Sequence, residues 1–419
     1  MTSKNASSAL DDSALPTIDP EAQRKNLEHR DLGRDPERLA MKYEKMRSSA
    51  FVFLRGACSL YYDALPQVPS LVQAPLAWCC GDLHFENLGS YQGADGQAHF
   101  DLNDFDESML APCTWDISRL LSSLICGAST LKAQPDEIKQ VVEECLNGYR
   151  EALRKGKAQS IELGCATGMI KTLLEDVAKR KRADFLDLRT NKKNGRRQIR
   201  LDGIKALPVT PEVRAQVETF MASFAKTQQD AHFYEVIDVA RRIAGTGSLG
   251  LLRYVILVKG KGSPDNNYLL DLKQAQSSAL QHRLSQLSIH QPTWRDEATR
   301  VVTLQNRMQA SDNPFISPVT FQDHPCVFKR LHPSEDRVAI GRWGPHLEHL
   351  LHVARAMGQL SAWSQLRSSG RQGSAAADEL IAFAEDEAWF RELHQVAYYM
   401  AEVTERQWQA FLKCPPSQK

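Results

Sequence analysis

The 419-residue chain is 42% hydrophobic and 25% charged, which excludes a largely disordered protein, and its length exceeds one ordinary core, so two or more packed lobes with clefts between them are expected. Basic and acidic residues, 52 against 51, nearly cancel, which excludes a molecule-wide field that would recruit nucleic acid or an acidic membrane. No stretch reaches the roughly 18 apolar residues of a membrane span, the N-terminus lacks a signal-peptide core, and the nine cysteines show no Cys-x-x-Cys spacing; a cytoplasmic protein with no disulfide framework, zinc site or membrane partner is expected.

In chain order, residues 1–35 are polar and without sustained periodicity, and read as a flexible lead-in. PERLAMKYEKMRSS reads as a helix running into the apolar burst FVFLRG, stopped by Gly56. The stretch LAWCCGDLHFENLGSYQGADGQAHFDLNDFDES reads as strand, polar loop, strand, Gly-containing turn, strand and a second acidic loop, which sets two acidic loops side by side. Two amphipathic helices follow from Trp115 to about Lys155, and the basic run from Lys179 to Arg200 surrounds an Asn-Gly turn that predicts an exposed hairpin. Together these form a predicted helical region, 36–233.

After Phe233, glycine turns separate β-branched runs, predicting an antiparallel sheet over 234–335 that includes RVVTLQ and CVFKRL as strands. Residues 336–419 return to helical periodicity and are expected to pack with the first region. The fold class is therefore α+β.

Two constellations carry chemistry. Asp82 and Asn87 stand five residues apart on the first acidic loop, and Asp104 and Asp106 sit on the second. Phosphoryl transfer needs a carboxylate to orient the acceptor hydroxyl and oxygen ligands for magnesium on the phosphates, and these residues supply both. The second constellation is Gly245-Thr246-Gly247-Ser248-Leu249-Gly250, followed by LLRYVILVKG, whose β-branched residues predict a strand; a glycine-rich hairpin over phosphates is expected rather than a dinucleotide site. Lys273, an inward charge on the strand YLLDLKQA, is expected to meet an anion such as a phosphate.

GDLHFENLG, LNDFDE and WDISRL resemble the Gly-Asp-x-His-x-x-Asn, Asp-Phe and Asp-Leu-x-x-Leu blocks of aminoglycoside-phosphotransferase-like and protein-kinase-like enzymes. The ordered set FVFLRG, GDLHFENLG, FDLNDFDE, WDISRL, AGTGSLG and LDLKQA more closely resembles the bacterial domain-of-unknown-function 2252 family, grouped with the protein-kinase-like fold, over about residues 25–412. The resemblance implies a two-lobed kinase-like fold binding ATP and Mg2+. Asp82 would orient the acceptor, Asn87 and Asp104 would bind metal, Asp116 would brace the catalytic loop, and Lys273 would anchor phosphate under Gly245–Gly250. Glycine loop and lysine here follow the catalytic loop by about 160 residues instead of preceding it, so the lobes are expected to be circularly permuted, with both chain ends building the helical lobe.

The sequence departs from that pattern at three places. Gln274 stands beside the lysine with no acidic residue close behind, leaving Glu297 as a distant partner; Trp363 sits where a histidine is expected; and Asp106 replaces the glycine of Asp-Phe-Gly, as a second metal ligand or a turn cap. Arg55 and His84 read as loop anchors. The expected activity is phosphoryl transfer to an unknown acceptor; AMP transfer and a catalytically silent nucleotide-binding module are the alternatives. Nucleic-acid binding through the basic run is not expected, since no aromatic residues interleave it.

Overall fold

Asp19 accepts hydrogen bonds from the backbone N–H groups of Glu21 and Ala22, Pro20 takes the first helical position, and a helix runs Pro20–Arg30. The computed structural model describes residues 15–331 and 337–416, so the first 14 residues of the expected lead-in and the expected boundary at 335–336 lie outside the described residues. Within it, the expectation of a structureless lead-in is corrected: Leu27 is buried, and Gln23 donates to the Gln407 carbonyl at 2.8 Å. A polar surface helix is held by what it packs on, which local composition does not reveal.

Helices Pro36–Met46, Ala50–Gly56 and Cys58–Asp63 follow, the first capped by Asp35 and the second by Ser49. Strand β1 (Leu76–Cys79) leads through the first acidic loop to β2 (Leu88–Gln92), which pairs antiparallel with β3 (Ala98–Leu102); β4 (Met109–Pro112) then returns to β1. The expected order of strands and acidic loops is what forms. Thr114–Cys126 and Pro135–Lys155 are the two amphipathic helices, and β5 (Thr190–Lys193) with β6 (Arg196–Ile199) forms the hairpin in the basic run.

A six-stranded antiparallel sheet is built from β7 (Ala206–Leu207), β8 (Val236–Arg242), β9 (Arg253–Val258), β10 (Tyr268–Gln274), β11 (Ser317–Phe321) and β12 (His324–Arg330), in the order β11-β12-β10-β9-β8-β7. Strand alternation gives it two different faces. Tyr254, Ile256, Leu270 and Leu272 pack with Val217 and Met221 of the helix Pro211–Ala225. Val255, Leu257 and Leu269 point the other way, meeting Leu186 and Ile199 from the basic-run segment. The sheet's packing therefore begins well before residue 234, because a helix and a hairpin from the preceding region cover its faces.

RVVTLQ is not a strand. Asp296 caps the helix Glu297–Met308 by accepting from Thr299 N, and Ala298, Val301, Val302, Leu304 and Met308 are buried at helical spacing. The cap and the periodicity extend beyond the six residues whose β-branched content suggested a strand.

The largest core joins Thr114–Cys126 and Pro135–Lys155 to Leu347–Arg367 and Ala388–Lys413. Pro135–Lys155 and Leu347–Arg367 run antiparallel, with Cys145 opposite Gly358 and Gly148 opposite Arg355. A Cβ on Gly358 would overlap the Cys145 carbonyl oxygen, and one on Gly148 the Arg355 carbonyl oxygen, so two glycines set the helix separation. Among the described residues no helix is long and apolar enough to cross a membrane.

Gly358→Ala is expected to lower stability by about 1–3 kcal/mol, overpacking outweighing the roughly 1 kcal/mol that alanine adds to helix propensity. Urea denaturation reads this directly; an unchanged or higher midpoint would mean the two helices separate freely.

Candidate active site

Two features bend the chain after β1. Gly81 adopts φ +87°, and a Cβ there would overlap the Glu107 carbonyl oxygen, so glycine is required on both counts. Asp116, on the helix Thr114–Cys126, accepts the backbone N–H groups of Cys80 at 2.7 Å and Gly81 at 2.9 Å. Its carboxylate closes the turn and aims the next residue, Asp82, into the cleft.

Asp82 Oδ1 accepts from Arg119 Nε at 3.0 Å and also from Nη2, and Nη2 donates to the Leu54 carbonyl at 2.8 Å. The Arg119 guanidinium is buried over the ring of Tyr61, its carbon 4.9 Å from the ring centroid. The chain then makes a short 3-10 turn, Phe85–Asn87, in which His84 Nδ1 accepts from Glu86 N at 3.2 Å. That bond leaves the imidazole proton on Nε2, and burial, with Arg55, Arg337 and Arg119 nearby, holds the pKa well below the usual histidine range.

The hairpin β2–β3 carries the second acidic loop back beside the first: Leu88 pairs with Leu102, and Asn103 N donates to the Asn87 carbonyl at 2.9 Å. Asn87 Nδ2 donates to the Asp82 carbonyl, which orients the amide and leaves Oδ1 as its acceptor atom. Asp104 accepts from Asp106 N at 3.4 Å, and the Asp106 carboxylate pairs with Lys273 Nζ from β10.

The glycine-rich loop joins β8 to β9, with Gly245 at φ +70° and Gly250 at φ +92°. Arg34 grips it from outside: Nη1 donates to the Gly247 carbonyl at 2.5 Å and the Leu249 carbonyl at 2.9 Å. Asp35 N donates to the Gly250 carbonyl at 2.8 Å. A cleft of about 460 Å3 results, lined on one side by Gly245, Thr246, Gly247 and Ser248 and on the other by Asp82, Asn87, Asp104 and Asp106.

A family model described as an uncharacterized protein conserved in bacteria, DUF2252, matches residues 34–414. The chain belongs to the DUF2252 family. No curated protein and no solved structure matches it.

Most of the residues singled out in this DUF2252 chain thus share one cleft, and three stand differently from expectation: Gly250, Glu297, and Lys273, which is buried against Asp106 and does not itself line the cleft. Gly250 lines a neighbouring cavity instead, where a Cβ on it would overlap the Arg34 side chain. Glu297 lines the cleft but bonds Arg300 Nε at 2.7 Å, while the lysine takes Asp106 as its partner. Among the described residues, no group of three or more His, Cys, Asp and Glu side chains is close enough to hold a metal ion, since Asp106 turns to the lysine. Asn87 and Asp104 remain as oxygen donors on the same cleft, a donor type that suits magnesium together with phosphate oxygens and water.

Three residues of this site were not anticipated. Arg119 lies three residues after Asp116 on the same helix, a spacing that puts both on one face and could have revealed it. Arg34 and Arg300 gave no local signal; Arg300, buried, donates to the carbonyls of Ser108, Asp106 and Gln276 and so fastens the second acidic loop to the end of β10.

The electrostatics of the DUF2252 site follow from burial. Burial pushes the Asp82 carboxyl up to about 6, against the pull of Arg119 and with the help of Asp104 and Glu107. Asp116 is likewise raised to about 6 by burial, opposed by its two backbone donors. Burial lowers the Lys273 amine, and likewise Lys329, which lies opposite Asp271 on β12.

Arg119→Met leaves the Asp82 carboxylate without its partner and is expected to cost about 3–5 kcal/mol. The double variant Asp82→Asn/Arg119→Met should recover at least about 1 kcal/mol of that loss. Denaturant unfolding of the four proteins gives the coupling; strictly additive losses would show that the two side chains do not act as a pair.

Proposed function

We propose that this DUF2252 protein is an ATP- and Mg2+-dependent phosphotransferase with a permuted, two-lobed kinase-like architecture, acting on an acceptor yet to be identified. The observation that carries the reading is the single cleft in which a glycine-rich β-hairpin faces Asp82, Asn87 and Asp104, with Lys273 beside them. Phosphoryl transfer is mainly positioning and charge stabilisation, and each group has a place in it.

Backbone N–H groups of the glycine loop would cradle phosphate oxygens, and Lys273 would exchange Asp106 for a phosphate. Asn87 and Asp104 would hold Mg2+, which when bound neutralises charge on the phosphates. Asp82 would accept a hydrogen bond from the acceptor hydroxyl and orient it. Arg119 keeps that carboxylate in place, and Asp116 keeps its loop in place.

A slot beside the start of the glycine loop, where Ala244, Val255, Leu269 and Leu331 stand among charged residues such as Arg189, Asp202 and Arg242, is where the nucleobase end of the ligand would sit. At about 50 Å3 it is too narrow for a purine as it stands, and the segment from Leu188 to Arg200 forms its opposite wall. Admitting a base would therefore require this hairpin segment to move outward.

Thermal unfolding with ATP, with and without Mg2+, tests the reading. A ligand bound only by the folded state adds about 2.7 kcal/mol at roughly a hundredfold excess over Kd, so the wild type should melt higher with Mg2+-ATP, and Lys273→Ala should lose the shift. Asp104→Ala should lose its Mg2+-dependent part while melting like the wild type without ligand. No shift at millimolar ATP in any of the three would refute nucleotide binding, and product mass with wild-type protein would separate phosphoryl from AMP transfer.

A further inference from the structure

A second cavity, of about 710 Å3, adjoins the outer side of the glycine-rich loop and shares Arg34, Gln274 and His324 with the cleft. Its size falls within the range of about 300–1,000 Å3 common for small-molecule sites. One wall is the start of the helix Pro36–Met46, with Asp35 and Arg38; another is the start of Pro211–Ala225, with Thr210 and Val213; Leu252 and Tyr254 supply the apolar floor.

Arg38 is the unusual group. It is only 3% exposed, yet among the described residues its guanidinium has only a long ion pair from Nε to Asp35 and no hydrogen bond. The nearest carboxylate oxygen, Asp35 Oδ1, is 3.5 Å from Nε and already accepts the Arg38 backbone N–H at 3.0 Å, while Asp35 Oδ2 accepts from Arg241 Nη1 at 2.8 Å. A buried guanidinium normally finds acceptors for its five N–H groups, because desolvating it without them is costly. Here the cavity is where acceptors are missing. Arg34 and Arg241 line the same space, Arg34 paired with Asp31 and Arg241 with Asp35 and Glu37, and two helices of 15 and 11 residues begin at its edge with their positive ends.

We propose that this cavity binds a small organic phosphomonoester, with its phosphate on Arg38 between the two helix N-termini and its apolar body on Val213, Leu252 and Tyr254. A phosphate offers three oxygens to this set of donors, where a carboxylate offers two. The occupant would sit one hydrogen bond from the glycine loop, since Asp35 N donates to the Gly250 carbonyl and Gly250 lines the cavity. The site requires nothing of the catalytic reading and stands or falls separately from it.

Titration calorimetry of the full chain with phenyl phosphate, and with benzoate for comparison, tests the site. Phenyl phosphate should bind the wild type with a Kd near or below about 1 mM, and Arg38→Met should weaken it at least about tenfold, the scale of a charged hydrogen bond. Because Arg38 contributes only a long ion pair to the folded chain, that variant should melt close to the wild-type temperature, so lost binding would not reflect unfolding. Val213→Trp should fill the cavity and block binding, whereas Lys273→Ala, in the neighbouring cleft, should leave it unchanged. The proposal is overturned by absence of binding up to about 10 mM, by equal affinity in Arg38→Met, or by loss in Lys273→Ala alone, which would move the anion to the cleft. Benzoate binding as tightly as phenyl phosphate would overturn the phosphate assignment.

Discussion

One buried carboxylate holds the acidic-loop side of the cleft together. Asp116 accepts two consecutive backbone N–H groups where the chain leaves β1, and without that anchor the left-handed Gly81 would have no reason to keep the next residue turned into the cleft. The same helix then supplies Arg119, whose guanidinium meets the carboxylate that Asp116 has aimed. A single rigid element thus sets both the path of the loop and the partner of its first cleft-lining carboxylate. Preorganisation of this kind is what a transfer reaction requires, because groups held in advance need not be ordered as the reaction proceeds.

The two sides of the cleft come from distant stretches of chain and meet through charge. Lys273 and Asp106 pair across it, Arg300 ties carbonyls of the acidic loop to the end of β10, and Arg34 reaches from the N-terminal helices to the glycine loop. These contacts use arginine and lysine against backbone oxygens and carboxylates, beside an apolar contact in which Val327 of β12 and the helix Glu297–Met308 join the helical core. The polar contacts across the cleft admit rearrangement more readily than that apolar contact does, since their partners can be exchanged for water or for a ligand's oxygens. The lysine–aspartate pair is the contact that an incoming anion would compete for most directly.

Much of this was legible in the sequence, for local reasons. The alternation around GDLHFENLG and FDLNDFDE gave the strands and the loops between them, because the hairpin's register is fixed by a short Gly-containing turn. The glycine loop was placed between strands because β-branched residues follow it. The helix Glu297–Met308 was misread because three β-branched residues in six outweighed an acidic cap lying just outside the window. Arg34 and Arg300 were invisible for a different reason: each acts on backbone carbonyls of remote segments, and a carbonyl leaves no mark in the sequence. The pairing of Lys273 with Asp106 rather than Glu297 likewise depends on where two separate bodies dock.

Arg34 donates to the carbonyl of Gly247, 213 residues further along the chain, and Gln23 donates to that of Gln407, 384 residues further. At a synthesis rate of about 5–20 residues per second, the N-terminal helices wait roughly 10–40 s for the loop they hold, and longer for the last helix they rest on. During that interval Leu27 and the apolar face around Met46, Phe53 and Leu60 lack the Phe411 that completes their cluster. The nascent chain therefore carries an uncovered apolar surface until Phe411 has been synthesised, and its early helices are the part most exposed to capture by chaperones or by other unfinished chains.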